Sequence, residues 1–216
     1  MPVAFTGWQS SDPYGSLMLA PVLRSCSFIA ALAVPMVAHA ATVAIDVRGF
    51  DGKPLAGAVV TIETPKAPGV TVRGPYMIEQ RDIAFQPHVL IVPVGATVGF
   101  PNRDRVRHHV YSFSKTKKFD LKLYGQEDSR TVLFDRPGVV PLGCNIHDSM
   151  NGFVFVTATP FAALTDQAGH VSMTGVPPGA GVVRVWHPSI RAPGSTASQP
   201  IAVAAAGFAT TFALHR

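Results

Sequence analysis

Gly143-Cys144-Asn145-Ile146-His147-Asp148-Ser149-Met150 places a thiolate, an imidazole and a thioether within seven residues. This soft donor set favours copper over most other metals. A trigonal site needs one more imidazole, and Phe100-Pro101-Asn102-Arg103-Asp104-Arg105-Val106-Arg107-His108-His109-Val110-Tyr111 offers two. Strand patterning chooses between them. Val139 to Leu142 leads into the cysteine loop and Gly152 to Val156 leads out, so the loop joins two adjacent strands at one end of a sandwich. Upstream, Val89 to Val92 and Ala96 to Phe100 flank a turn at Pro93-Val94-Gly95, and Arg130 to Phe134 makes a further strand. After the turn formers Asn102 and Asp104, His108, Val110 and Ser112 fall on one face of a strand and His109, Tyr111 and Phe113 on the other. The ligand must share the interior with Val110, which favours His108.

With 47% hydrophobic and 14% charged residues, the chain reads as a packed globular protein. Its 19 glycines and 19 prolines lie between short Val-rich runs, the pattern of an all-β fold. Arg24, the apolar run Cys26 to Val37 and Ala38-His39-Ala40 follow the order of an export signal with cleavage near Ala40. The run has about 12 residues where a membrane span needs about 20, so no stable membrane insertion is expected. Residues 1–17, upstream of Met18 and without a basic residue, fit an overextended start. Cleavage near Ala40 removes Cys26, leaving Cys144 without a disulfide partner in an oxidising compartment. Metal ligation occupies such a thiol.

The net charge is +5, and cleavage removes only Arg24 and Asp12, so the exported chain keeps that balance. Arg103, Arg105, Arg107, Lys115, Lys117, Lys118 and Lys122 carry much of the positive charge. No nucleic-acid reader motif accompanies them. They suit an acidic redox protein, a dehydrogenase or a cytochrome, steered by charge.

Residues 76–156 resemble a cupredoxin of the plastocyanin and amicyanin type. Phe100 and Asn102 precede His108 as in that family, and Cys144, His147 and Met150 match the short amicyanin loop. The two histidine-bearing segments also resemble small cupredoxins known as methylamine-utilisation accessory proteins. The resemblance implies a Greek-key sandwich and one type 1 (blue) copper ion, with His108, Cys144 and His147 in plane and Met150 axial. His109 stands where the family carries Asn; with Asn102 it is expected around the ligands, hydrogen-bonding across to the Cys144 loop. Family members with catalytic or dinuclear copper carry a histidine flanking the cysteine or a second loop cysteine. Here the flanks are Gly143 and Asn145, so no enzyme activity is expected. A structural zinc site would not use the thioether of Met150. His88, His170, His187 and His215 are scattered and read as surface or structural.

Residues 42–66 and 158–216 each read as strand, turn, strand, the first as a hairpin over 43–62. Together they resemble one transthyretin-like, carboxypeptidase-regulatory-like sandwich, with the cupredoxin inserted between its strands. The rival arrangement is a single enlarged sandwich. Two functions follow: an exported single-electron carrier, or a periplasmic copper-binding accessory or delivery module without sustained redox turnover.

Overall fold

Short stretches rich in Val, Ile and Phe alternate with turns, and among the described residues they form seventeen β-strands and one brief 3-10 turn at Pro193–Ser195. The computed structural model describes residues 41–215 together with Val3, Ala4 and Gly7. The basic residue, apolar run and cleavage motif of the expected export signal lie outside the described residues. Residues 41–215 fall within one compact unit.

The chain begins this unit with β1 (Ala41–Arg48) and β2 (Val59–Glu63). The central strands are β3 (Tyr76–Met77), β4 (Glu79–Arg81), β5 (Ala84–Gln86), β6 (Val89–Pro93), β7 (Ala96–Pro101), β8 (His108–Phe113), β9 (Lys118–Tyr124), β10 (Ser129–Phe134), β11 (Gly138–Gly143) and β12 (Asn151–Thr157). Then come β13 (Ala162–Leu164), β14 (His170–Val176), β15 (Gly179–Trp186), β16 (Thr196–Val203) and β17 (Phe208–Ala213).

The outer parts of the chain build two sheets, ordered β14-β1-β17 and β13-β2-β15-β16, over a core that includes Val43, Ile45, Ile62, Val171, Val185 and Phe212. In β1 the residues Ala41, Val43, Ile45 and Val47 are buried in strict alternation, as a strand with one apolar face requires. The hairpin expected over 43–62 does not form. β1 pairs with β14 and β17, whereas β2 pairs with β13 and β15 in the opposite sheet. The cause lies in β2, where Val59 to Ile62 are all buried: Val60 and Ile62 enter this core and Val59 points the other way into a second apolar layer. A strand covered on both faces belongs inside a sheet rather than at the rim of a hairpin.

The central strands pair among themselves. The sheets β10-β7-β3 and β6-β12-β11-β8-β9 close over Val98, Phe100, Val110, Phe134, Val140 and Val154, and this core also holds Cys144 and Met150. β6 runs parallel to β12 while β7 runs antiparallel to β10, so the Pro93-Val94-Gly95 turn carries the chain from one sheet to the other. Gly95 adopts φ 89° there, and its N–H donates to Phe134 O at 2.8 Å. Between the two sandwiches lies an apolar seam. Val59, Val89 and Trp186 are buried in it with Ile91, Val139, Phe153 and Phe155 around them, and the Trp186 ring meets those of Phe153 and Phe155 at 5.1 and 5.9 Å. Among the described residues no helix is long and apolar enough to cross a membrane.

Candidate metal centre

The loop between β11 and β12 is set by antiparallel pairing that ends with Gly143 opposite Asn151. Within it, the Met150 N–H donates to His147 O at 2.9 Å, which folds the segment back on itself. Cys144 and Met150 turn into the core and His147 is half-buried at the surface. β8 runs beside β11, with Tyr111 opposite Gly143. Its burial alternates, so His108, Val110 and Ser112 face inward while His109, Tyr111 and Phe113 face outward. His108 is thereby fully buried next to Cys144.

Three donor atoms converge. His108 Nδ1 and His147 Nδ1 are 3.2 Å apart, and Cys144 Sγ lies 4.0 Å from the first and 3.6 Å from the second. A metal at about 2.0–2.1 Å from each nitrogen and about 2.3 Å from sulfur would subtend angles between about 100° and 135°, summing to within about 15° of a planar trigonal arrangement. The triangle fits a single ion. Met150 is 2% exposed and belongs to the same core cluster as Cys144.

No family model matches the chain, and no curated protein does. Solved structures that match in part include a Cu-containing nitrite reductase from Thermus scotoductus SA-01, at 26% identity over 44% of this chain and 27% of that one, with a TM-score of 0.37. A novel purple cupredoxin from Nitrosopumilus maritimus matches at 25% identity over 38% of this chain and all of that one, with a TM-score of 0.35. The reduced Cu(I) form of an amicyanin mutant matches at 22% identity over 45% and 98%, with a TM-score of 0.37. The chain thus spans about a quarter of the nitrite reductase's length. All three scores are low. What the site can hold is decided by its donors.

Around the triangle, several side chains fix the segment that delivers His108. Asn102 is 2% exposed; its Nδ2 donates to Val106 O at 2.8 Å and Tyr124 O at 3.2 Å, and its Oδ1 accepts the Asp104 N–H at 2.8 Å. Beneath it, Gln80 and the Tyr124 hydroxyl both donate to Phe100 O, and Gln80 Nε2 also lies 2.6 Å from that hydroxyl. Burial pushes the Tyr124 phenol up to about 12, against the opposing pull of the Gln80 amide.

Asp104 reads in the sequence only as a turn former, yet it contacts a donor residue directly. Its Oδ2 lies 2.8 Å from His108 Nε2 and accepts the Ile83 N–H at 3.0 Å, while its Oδ1 accepts the Asp82 N–H at 2.8 Å. Burial raises the carboxyl's affinity for a proton, but the Ile83 N–H, the His108 ring and the Asp82 N–H together outweigh it and hold the group below the usual carboxylate range. Asp82 and Ile83 sit at φ 56° and 55°, in the turn between β4 and β5. Left-handed backbone costs about 1–3 kcal/mol per non-glycine residue, and hydrogen bonds to a charged acceptor return about 1.5–3 kcal/mol each. The spacing Asp104-x-x-x-His108 was the available signal. Its other partners lie some twenty residues upstream, beyond any local pattern.

His109 does not reach the cysteine loop. It lies on the outer face of β8, where its Nε2 pairs with Asp120 on β9 and its ring meets that of Tyr111 at a tilt, 5.6 Å between centroids. The outward direction of the side chain and the facing carboxylate account for the difference. Asp120 also accepts from the ammonium and N–H of Lys122, and these contacts, with His109, hold its carboxyl well below the ordinary range.

The basic residues divide into two groups. Arg103, Arg105 and Arg107 lie in the loop that leads to His108, whereas Lys115 and Lys117 follow the far end of β8 and Lys118 begins β9. Some 17 Å of strand separates the groups. Arg103 is paired with Glu79 at 3.0 Å, Lys117 with Asp135 at 2.9 Å, and Lys118 lies 5.8 Å above the Phe113 ring. Arg105 and Arg107 are exposed in the loop that leads into His108. The other histidines stand apart from it: His88 packs edge-on against Phe153, His170 pairs with Asp46 at 2.8 Å, and His187 bonds Ser189, its imidazole pKa lowered by burial.

Proposed function

We propose that this chain is an exported type 1 copper protein that carries single electrons between redox proteins. The triangle of His108 Nδ1, His147 Nδ1 and Cys144 Sγ carries this reading, because its edges match one trigonal ion and its donors are those copper prefers. A copper ion held by His108, Cys144, His147 and Met150 would supply one-electron redox chemistry. The chain's own residues supply rigidity. His108 is delivered by a paired strand, Cys144 and His147 by a loop clamped between two more, and a site fixed on such elements keeps its geometry when the charge of the ion changes. The buried donors exclude water, while the half-buried ring of His147 leaves one edge toward a partner. Arg105 and Arg107 favour an acidic partner at that end. The flanking residues Gly143 and Asn145 offer no ligand for a second, substrate-binding copper, which supports a carrier over an enzyme.

We infer further that residues 76–156 form a cupredoxin domain inserted into a transthyretin-like sandwich of residues 42–66 and 158–216. The closed pairing of the central strands among themselves, and of β1 and β2 with β13 to β17, supports this division. The export signal over residues 1–40 rests on the order of its basic, apolar and small-residue segments.

The test is copper reconstitution of the chain lacking residues 1–40, followed by visible absorption. An intense thiolate-to-Cu(II) band in the orange-red is expected; its absence would discard the type 1 assignment. Rapid, salt-sensitive electron exchange with a cytochrome then supports the carrier, whereas transfer of the copper itself to a recipient supports delivery.

A further inference from the structure

We propose that Asp104 is a positioning residue for the metal centre, holding His108 in the one tautomer that can serve as a ligand. The proposal rests on the copper reading above and on a geometry that does not depend on metal. An ionised carboxylate only accepts hydrogen bonds, so the 2.8 Å contact between Asp104 Oδ2 and His108 Nε2 requires the ring proton on Nε2. In a neutral ring Nδ1 is then left with its lone pair, and Nδ1 is the atom that faces Cys144 Sγ and His147 Nδ1. Were the proton on Nδ1, it would point into the donor triangle and Nε2 would stand against the carboxylate with no hydrogen between them. A carboxylate behind a ligating histidine also raises its basicity.

The carboxylate itself is held in place. Its two oxygens accept the N–H groups of Asp82 and Ile83, and its own N–H is tied to Asn102 Oδ1. Asp82 and Ile83 are at φ 56° and 55°, a conformation that two-residue hairpins reserve for Asn and Gly and that is an outlier for a β-branched residue. The turn and the histidine therefore share one acceptor group: the anion that stabilises an unfavourable turn is the same one that orients His108. The turn's strand β4 is anchored in turn by Glu79, which binds both Arg81 and Arg103.

The experiment uses the chain lacking residues 1–40, metal-free and copper-loaded, with Asp104→Asn made in two backgrounds. Asparagine has one acceptor oxygen where aspartate has two. To keep the turn from collapsing, the second background carries Asp82→Asn and Ile83→Gly, the residues its backbone favours. In the metal-free protein, nitrogen–proton correlation spectra of the His108 ring are expected to show the proton on Nε2, and a mixture of tautomers after Asp104→Asn in both backgrounds. In the copper-loaded protein the substitution is expected to weaken Cu(II) binding by about 10- to 100-fold. If Cu(I) binding falls ten-fold less than Cu(II) binding, the reduction potential rises by about 59 mV. A proton on Nδ1 in the starting protein overturns the proposal. So does an unchanged tautomer with Cu(II) affinity altered less than about two-fold in the turn-stabilised background. If the starting protein shows no thiolate-to-copper band, the copper reading fails while the metal-free tautomer still tests Asp104; a normal band with an indifferent variant overturns the role of Asp104 alone.

Discussion

Replacing Trp186 by alanine removes the largest side chain from the seam between the two sandwiches. The indole is 3% exposed, meets Phe153 edge-on at 5.1 Å and Phe155 at 5.9 Å, and packs among Val59, Val89, Ile91 and Val139. Truncating a buried tryptophan costs about 3–5 kcal/mol, and an aromatic pair contributes about 0.5–1.5 kcal/mol within such a total. Trp186 also borders a cleft of about 790 Å³ lined by Val139, Phe155 and Thr196, so water reaches part of the space vacated. The lower end of the range applies, about 3 kcal/mol. For a chain of this size each kcal/mol corresponds to about 2–4 °C, so the melting temperature of the chain lacking residues 1–40 should fall by about 6–12 °C. Far-UV circular dichroism is the appropriate probe, because the substitution deletes the fluorophore. The donor triangle is built from other strands, so the copper absorption of the folded variant should be unchanged. A fall of less than about 2 °C would refute the view that the seam contributes to stability. An altered copper band would refute the separation of seam from site.

Cys144→Ser should abolish the thiolate-to-copper band and leave the circular dichroism spectrum in place, since the side chain changes little in size. Gly169→Ala should destabilise the outer sandwich by more than about 2 kcal/mol in urea unfolding, because the residue sits at φ 74° and a Cβ would meet Val47 O at 2.6 Å and Leu55 N at 2.9 Å. Tyr124 sets an alkaline limit. Its folded pKa of about 12 lies above the unfolded value of about 10, so its contribution is full below pH of about 10 and disappears as the pH rises toward 12. Up to about 2 kcal/mol should be lost over that interval, and Tyr124→Phe should flatten this limb of the stability curve.

The side-chain period of two made much of the molecule legible. It divided His108 from His109, because a strand packed on one face leaves no other choice for the residue that shares a side with Val110. The loop from Cys144 to Met150 was equally legible, since its donors are close in sequence and its flanking runs are apolar. Periodicity is silent on partners. Nothing local distinguishes a hairpin over 43–62 from two strands in opposite sheets, and the burial of Val59 on the second face of β2 appears only once Trp186 and Val89 are brought beside it. For the same reason Asp104 resembled an ordinary turn residue and His109 resembled a neighbour of the cysteine loop. Asp104 was decided by the backbone N–H groups of a distant turn and by the His108 ring, and His109 by the Asp120 carboxylate on β9. The basic cluster, contiguous in sequence, was divided by the length of β8.

The pairing of β1 with β17, in which Val43 lies opposite Phe208, bears on the order in which the chain acquires its structure. A chain emerging N-terminus first presents β1 long before its neighbours β14 and β17 exist, so that strand waits with both edges open. Residues 76–157 have no such delay. All their sheet partners are already at hand when β12 emerges, so the half that carries the donor triangle can close while the surrounding sandwich is still incomplete. The outer sandwich would then be completed last, when β17, the final strand to emerge, pairs with the waiting β1.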